Sequence, residues 1–435
     1  MLYYGLALIF FLLGISACSP LKRQKVRKQF RTHLIDPPKL SHQFTGAALF
    51  DPAQKTYLLE YQSHKYFTPA SNTKLLSFYT SLQILGDSVP CFRYQQRGDS
   101  LIIKPLGDPT FLHSDFEIQL ADSFLRQHQG PIFVDFQANQ VVPWAPGWTW
   151  EDYFYPFAAE RSLMPIYGNL ASISLPASQN AHIIPASLSL REATDPSQQR
   201  VQRAQHQNEF TYPKRLRGSG WEVSIPFMTS EALTLSLLSD TLNRSVQAWS
   251  GSPLGEDAAI LYTQPIDSLY QYMLQKSDNF FAEQMLIMCA ALRYGSVDSE
   301  KMIRYSQDSL LNNLPDPVRW VDGAGLSRYN LVSPADLTWL LDKMYNQLGE
   351  ERILALLPAG GVSGTLEKYY AGEDGIPYIF AKTGTLSNNH NLSGFIRCKS
   401  GKVLIFSIMQ NHYLFSSSVV KPQIEAFLKE VYQRY

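Results

Sequence analysis

Cysteine is scarce in this chain, with 4 in 435 residues, so a disulfide scaffold cannot organise it. Setting aside Cys18 near the N-terminus, Cys91, Cys289 and Cys398 permit at most one bridge. Cys289 falls inside an apolar helical run, where a buried free thiol is the simpler reading. Neither sign of charge is in excess, because 38 Lys and Arg face 38 Asp and Glu. That balance gives no bias toward polyanions, and no basic stripe supports nucleic-acid binding. The cysteines and the nine histidines show no metal-ligand spacing, and nothing in the pattern requires a cofactor. Internal repeats and low-complexity runs are absent. The apolar run from Leu2 to Ile15 is too short for a comfortable transmembrane helix.

What is present is a globular composition, 45% hydrophobic and 17% charged, enough to bury a substantial core in two or three domains. Against that background stand three short motifs in order: Ser71-Asn72-Thr73-Lys74, Ser277-Asp278-Asn279 and Lys382-Thr383-Gly384. Decoys exist. Ser418-Val419-Val420-Lys421 repeats S-x-x-K, and Ser178-Gln179-Asn180 and Ser387-Asn388-Asn389 repeat S-x-N, so order and setting must discriminate.

Ser71 lies between Pro69 and a run of Leu75, Leu76, Tyr79, Leu82 and Leu85 closed by Gly86, which predicts a buried amphipathic helix. At i and i+3, Lys74 should share a face with the Ser71 hydroxyl. A serine is a weak nucleophile until a base takes its proton, and a lysine can serve if burial lowers its pKa. Taken alone, a serine at a helix start is more often a plain N-cap than a nucleophile. Ser277 and Asn279 begin a second apolar helix, predicted over Asn279–Tyr294 and closed by Gly295. A hydroxyl there can relay a proton, and an amide can hold both a lysine and a substrate backbone. Helix capping is again the bland alternative. Lys382, Thr383, Gly384 and Thr385 follow Tyr378-Ile379-Phe380-Ala381, which reads as a strand. Gly384 permits close backbone approach, and the lysine and hydroxyls suit a carboxylate and a developing oxyanion. His390 reads as a turn residue.

Together with Gly107-Asp108-Pro109-Thr110, Pro146-Gly147-Trp148-Thr149-Trp150-Glu151-Asp152 and Asp322-Gly323-Ala324-Gly325-Leu326-Ser327-Arg328, these motifs resemble the peptidase S13 or DacB-type family. Its members are low-molecular-mass penicillin-binding proteins, D-alanyl-D-alanine carboxypeptidases with endopeptidase activity. The resemblance runs from about residue 44 to the end. It implies Ser71 as the acylated nucleophile, Lys74 as its base, Ser277 and Asn279 as the second catalytic element, and Lys382 as an electrostatic anchor. Thr383 and Thr385, with Gly384 between them, would bind the terminal D-alanine carboxylate, and the amides of Ser71 and Thr385 would form the oxyanion hole. Asp322 to Arg328 would shape the floor. Peptidoglycan stem peptides would be the substrate and β-lactams inhibitors. A serine β-lactamase or esterase, or a non-catalytic wall-binding lipoprotein, would use the same framework.

The implied fold class is α+β, a transpeptidase-like antiparallel sheet flanked by helices. Phe44 to Phe50 with Lys55 to Tyr61, and Leu392 to Cys398 with Val403 to Gln410, read as hairpins, and a terminal helix is predicted from about Pro422 to Tyr432. The stretch between Ser71 and Ser277 is far longer than a helix and loop require. A β-rich insertion is therefore expected over 91–262, with a polar loop or surface face from Arg191 to Arg217. The catalytic domain would then comprise 43–90 and 263–435. The aromatic segment Trp144, Trp148, Trp150, Tyr153, Phe154, Tyr155 and Phe157 is expected to pack rather than bind glycan.

Ile15-Ser16-Ala17-Cys18 resembles a bacterial lipobox, which implies a signal segment at 1–18, lipidation of Cys18 and an extracytoplasmic, membrane-anchored protein. No Lys or Arg precedes the apolar run, whereas Lys22, Arg23, Lys25, Arg27, Lys28 and Arg31 follow it. Residues 19–42 are read as a basic tether close to anionic lipid.

Overall fold

The computed structural model describes residues 22–137, 140–177, 180–255 and 257–435. Cys18, the expected signal segment 1–18 and Ser178-Gln179 lie outside the described residues. The backbone of the molecule is an antiparallel five-stranded sheet. Its order is Ile379–Leu386, Asn389–Arg397, Val403–Asn411, Phe44–Asp51 and Thr56–Tyr61. The first and last parts of the chain meet in its centre, with Phe44 opposite Asn411 and Phe50 opposite Ile405. The middle strands are buried on both faces, which is why Val403–Asn411 reads as a nearly continuous apolar run.

On one face, Phe395, Ile405 and Met409 pack against helices Lys74–Leu82, Ile266–Lys276, Asn279–Tyr294 and Pro334–Leu348. The Asn279–Tyr294 helix is apolar around most of its circumference and buries twelve consecutive residues, Phe280 to Ala291. It is therefore a core strut rather than a surface helix. On the other face, Leu49, Leu392 and Phe406 pack against Ile424, Phe427 and Leu428 of the terminal helix Lys421–Arg434.

Residues 22–34 change the reading of the basic tether. They form a helix, and Val26, Phe30 and Leu34, spaced at i, i+4 and i+8, are buried in the same apolar layer as the terminal helix. The Phe30 ring lies 5.4 Å from that of Phe427 and 5.3 Å from that of Tyr61. The basic residues Lys25, Arg27, Lys28 and Arg31 point to solvent. The charge run concealed an amphipathic stripe that docks the segment onto the protein.

The intervening region holds a five-stranded sheet in the order Val246–Ala248, Ile132–Val134, Ser100–Pro105, Ser88–Arg97 and Ala259–Pro265. Two pairings are parallel, and helices Leu120–Gln127 and Glu231–Leu242 bury Leu125, Leu237 and Leu238 in its core. The expectation of strands alone missed these helices. A three-stranded sheet joins Trp221–Pro226, Leu170–Leu175 and His182–Ile184. The polar stretch is not a free loop either. Ser189–Glu192, Glu209–Tyr212 and Gln202–Arg203 form a small sheet anchored by buried Phe210.

Replacing Phe30 by Ala should weaken docking of the 22–34 helix by about 3–5 kcal/mol. The expected readout is faster trypsin cleavage at Lys25, Arg27 and Lys28 in the otherwise folded protein. Equal cleavage rates in wild type and variant would show that this ring does not hold the helix.

Candidate active site

The chain leaves the 44–61 hairpin and enters a short 3-10 turn, Ala70–Thr73, that runs directly into the Lys74–Leu82 helix. Ser71 is therefore not an N-cap: no side-chain cap bond closes either segment. The turn brings Lys74 to its serine, and Lys74 Nζ donates to Ser71 Oγ at 3.0 Å. Two further acceptors complete the ammonium shell, Asn279 Oδ1 at 2.7 Å and the Ala324 carbonyl at 2.7 Å. Burial pushes the Lys74 ammonium down to about 8, against the upward pull of Asp278, Asp322 and Glu283.

Ser277 and Asn279 do not occupy one helix start. Ser277 closes the preceding Ile266–Lys276 helix in the left-handed region, at φ 57°. A non-glycine residue there is uncommon, and it turns the hydroxyl into the cleft. Asp278 is the true cap, accepting from the Phe281 amide at 2.8 Å. Asn279 splits its amide between the site and the intervening region, since Nδ2 donates to the Phe157 carbonyl at 2.9 Å.

The third motif lies within a strand, not beyond its end: Ile379–Leu386 continues through it, pairing Lys382 with Ser393 and Thr385 with His390. Lys382 Nζ donates to Ser277 Oγ at 2.8 Å and to the Thr383 carbonyl at 2.9 Å. Burial, then the charge of Lys74, hold its ammonium well below the ordinary lysine range. Gly384 is required by proximity. A Cβ there would lie 2.3 Å from the Pro69 carbonyl oxygen and 3.1 Å from the Ser71 amide nitrogen. Thr383 Oγ1 donates to Thr365 Oγ1 at 2.9 Å. Ser71, Ser277, Thr383 and Thr385 share a cavity of about 290 Å³.

Several participants were invisible in the motifs. His390 is a buried strand residue and not a turn residue; its Nδ1 lies 2.8 Å from Thr385 Oγ1. Burial holds its ring down at about 3, so it is neutral. Asp322 explains the Asp-Gly-Ala-Gly turn. Its carboxylate accepts from the Gly325 and Ser327 amides, from Asn330 Nδ2 and from Trp148 Nε1, at 2.6 to 2.8 Å. Because Gly325 N–H and Ala324 C=O belong to one peptide unit, Asp322 aims at Lys74 the carbonyl that accepts its hydrogen bond. Glu283 accepts from the Ala324 amide at 2.8 Å and from Arg161 at 3.2 Å. Burial raises the Glu283 carboxyl to about 7, with Arg161 opposing.

Trp148 thus packs structurally, as expected of the aromatic segment. Trp150, at 70% exposure, does not, and Trp144, Tyr155 and Phe157 are exposed as well, Tyr155 and Phe157 stacking at 5.2 Å beside the Asn279 contact. Cys91, Cys289 and Cys398 are buried free thiols. Among the described residues no group of His, Cys, Asp and Glu could hold a metal, and no helix is long and apolar enough to cross a membrane.

The profile of the D-Ala-D-Ala carboxypeptidase 3 (S13) family matches residues 26–433. The D-alanyl-D-alanine carboxypeptidase DacB of Haemophilus influenzae is 21% identical over 409 residues, covering 83% of this chain and 84% of that protein. A D-alanyl-D-alanine carboxypeptidase of Actinomadura sp. is 23% identical over 433 residues, covering 87% of this chain and 79% of its own. Among solved structures, penicillin binding protein 4 of Haemophilus influenzae superposes with a TM-score of 0.72 at 18% identity, over 94% of this chain and 98% of that one. A predatory peptidoglycan endopeptidase of Bdellovibrio bacteriovorus gives a TM-score of 0.52 at 12% identity, over 90% and 92%. The structural likenesses establish a shared α+β fold, and the profile spans nearly the whole described chain. This chain belongs to the D-Ala-D-Ala carboxypeptidase 3 (S13) family.

Proposed function

We propose that the protein is a serine-type D-alanyl-D-alanine carboxypeptidase that also opens peptide cross-links, acting on peptidoglycan stem peptides and acylated by penicillins. The observation that carries the reading is the buried Lys74 ammonium within 3.0 Å of Ser71 Oγ. Lys74 takes the Ser71 proton as Oγ attacks the carbonyl of the penultimate D-alanine, forming the ester bond. The amides of Ser71 and Thr385 hold the oxyanion, for which the tight approach enforced at Gly384 is suited. As the C–N bond breaks, the proton passes to the departing amine through Ser277, whose hydroxyl accepts from Lys382. Asn279 keeps Lys74 aligned. Water then cleaves the ester and restores Ser71. Thr383 and Thr385 receive the terminal carboxylate.

Among the described residues no carboxylate lines the cavity. A β-lactamase needs a well-placed base and water for fast deacylation, so the lining favours slow turnover of penicillins over the β-lactamase alternative. A non-catalytic wall-binding role gains no support from a cavity in which the three motifs converge. Because the substrate lies outside the cytoplasm, the protein acts extracytoplasmically, in a periplasmic setting. The lipobox-like sequence ending at Cys18 supports anchoring by lipid there, and exposed basic residues of the 22–34 helix suit an anionic surface.

Release of D-alanine from a synthetic acyl-D-Ala-D-Ala peptide should fall by at least about 10³-fold in Ser71→Ala and in Lys74→Met, with unfolding midpoints near wild type. Retained turnover in Ser71→Ala would refute the serine mechanism. For wild type, kcat/KM should rise with pH and level off above the Lys74 value of about 8. The sign follows from the base role, since protonated Lys74 cannot accept the serine proton, giving about tenfold per unit on the acid side. A profile flat from pH 6 to 9 would contradict the assignment.

A further inference from the structure

The lysine of the unpartnered run Ser418 to Lys421 reaches the active site. Lys421 is the first residue of the terminal helix, yet it lines the same cavity as Ser71, Ser277, Thr383 and Thr385. Its ammonium lies 4.5 Å from the ring centroid of Tyr369, another lining residue. This cation–π contact keeps the charge at the cavity edge without neutralising it. One turn along the helix, Glu425 accepts from the Tyr370 amide at 3.0 Å. That bond fastens the 364–370 segment to the helix and engages the carboxylate best placed by sequence to pair with Lys421. Among the described residues Lys421 has no carboxylate partner.

The other polar groups of the cavity leave one role open. Lys382 is fully buried, and two of its donors are engaged by Ser277 and the Thr383 carbonyl. His390 is buried against Thr385 and carries no charge. Thr383 and Thr385 offer hydroxyls, and among the described residues no acidic side chain lines the space. An anion entering beside the two threonines therefore meets Lys421 as its accessible, uncommitted cation. Such a site favours a carboxylate over a neutral amide, because a charge-assisted contact is about twice as strong as a neutral one.

We propose that Lys421 recognises the free carboxylate of the substrate residue that departs on cleavage, and so sets the preference for peptides that end in an acid. The inference rests on the acyl-transfer reading given above and adds a specificity residue from the terminal helix to it.

The test compares two synthetic peptides, acyl-D-Ala-D-Ala and the same peptide with a terminal carboxamide, in wild type, Lys421→Met and Lys421→Arg. Wild type should prefer the acid. In Lys421→Met the acid-to-amide ratio of kcat/KM should fall about tenfold, 1.4 kcal/mol, through KM of the acid form rather than kcat. Lys421→Arg should restore most of the ratio, and rising salt should erode it in wild type but not in Lys421→Met. A ratio in folded Lys421→Met equal to that of wild type would overturn the proposal while leaving the hydrolase reading intact. Wild type that cleaves neither peptide would overturn the hydrolase reading, and the specificity role with it.

Discussion

A lysine ammonium with no exposed surface is the constraint on which the active site depends. Lys74 is fully buried, and an unpaired cation there would be prohibitively unfavourable. Its acceptors come from three distant parts of the chain: Ser71 Oγ, Asn279 Oδ1 and the Ala324 carbonyl. Solvating this one charge with protein atoms therefore requires the first turn, the central helix and the Asp322 turn to converge. The burial that this convergence creates lowers its pKa and prepares it to take a proton, so folding and chemistry depend on one arrangement.

A second layer holds those acceptors in place and joins the intervening region to the site. Asp322 fixes the peptide that carries the Ala324 carbonyl, and Trp148 donates to Asp322 from the far side. Glu283 fixes the Ala324 amide and is itself engaged by Arg161. Asn279 donates to the Phe157 carbonyl. Trp148, Phe157 and Arg161 all belong to the region between the first and second motifs. That region therefore acts as the outer wall of the base's environment, in addition to any role at the substrate. Below the turn, Asn72 donates to Ser393, which donates to Ser407, so buried side chains tie the nucleophile's turn to the central strands.

Much of this was legible because local patterns and motif spacing agreed. The Asn279–Tyr294 helix has the bounds that its apolar run and Gly295 predict, and both hairpins stand where apolar segments flank turn residues. What was not legible depends on tertiary contact. His390 looked like a turn residue because a neutral imidazole buried against a strand partner has no local signature. Lys421 looked irrelevant because its motif lacked neighbours in sequence, whereas its position at the cavity comes from helix packing. The 22–34 helix was masked by its charges, although Val26, Phe30 and Leu34 already stood at helical spacing. Ser277 was placed in the wrong helix because a left-handed C-cap serine and an N-terminal serine read alike when an Asp follows.

The central claim is that Ser71 becomes covalently acylated. Its most direct test is peptide mass spectrometry of the protein after incubation with a penicillin, mapping the adduct along the chain. A penicilloyl ester is expected on the tryptic peptide containing Ser71, and on Ser71 itself when that peptide is fragmented. An adduct on Ser277 or Ser418, or a folded protein that carries none, would contradict it.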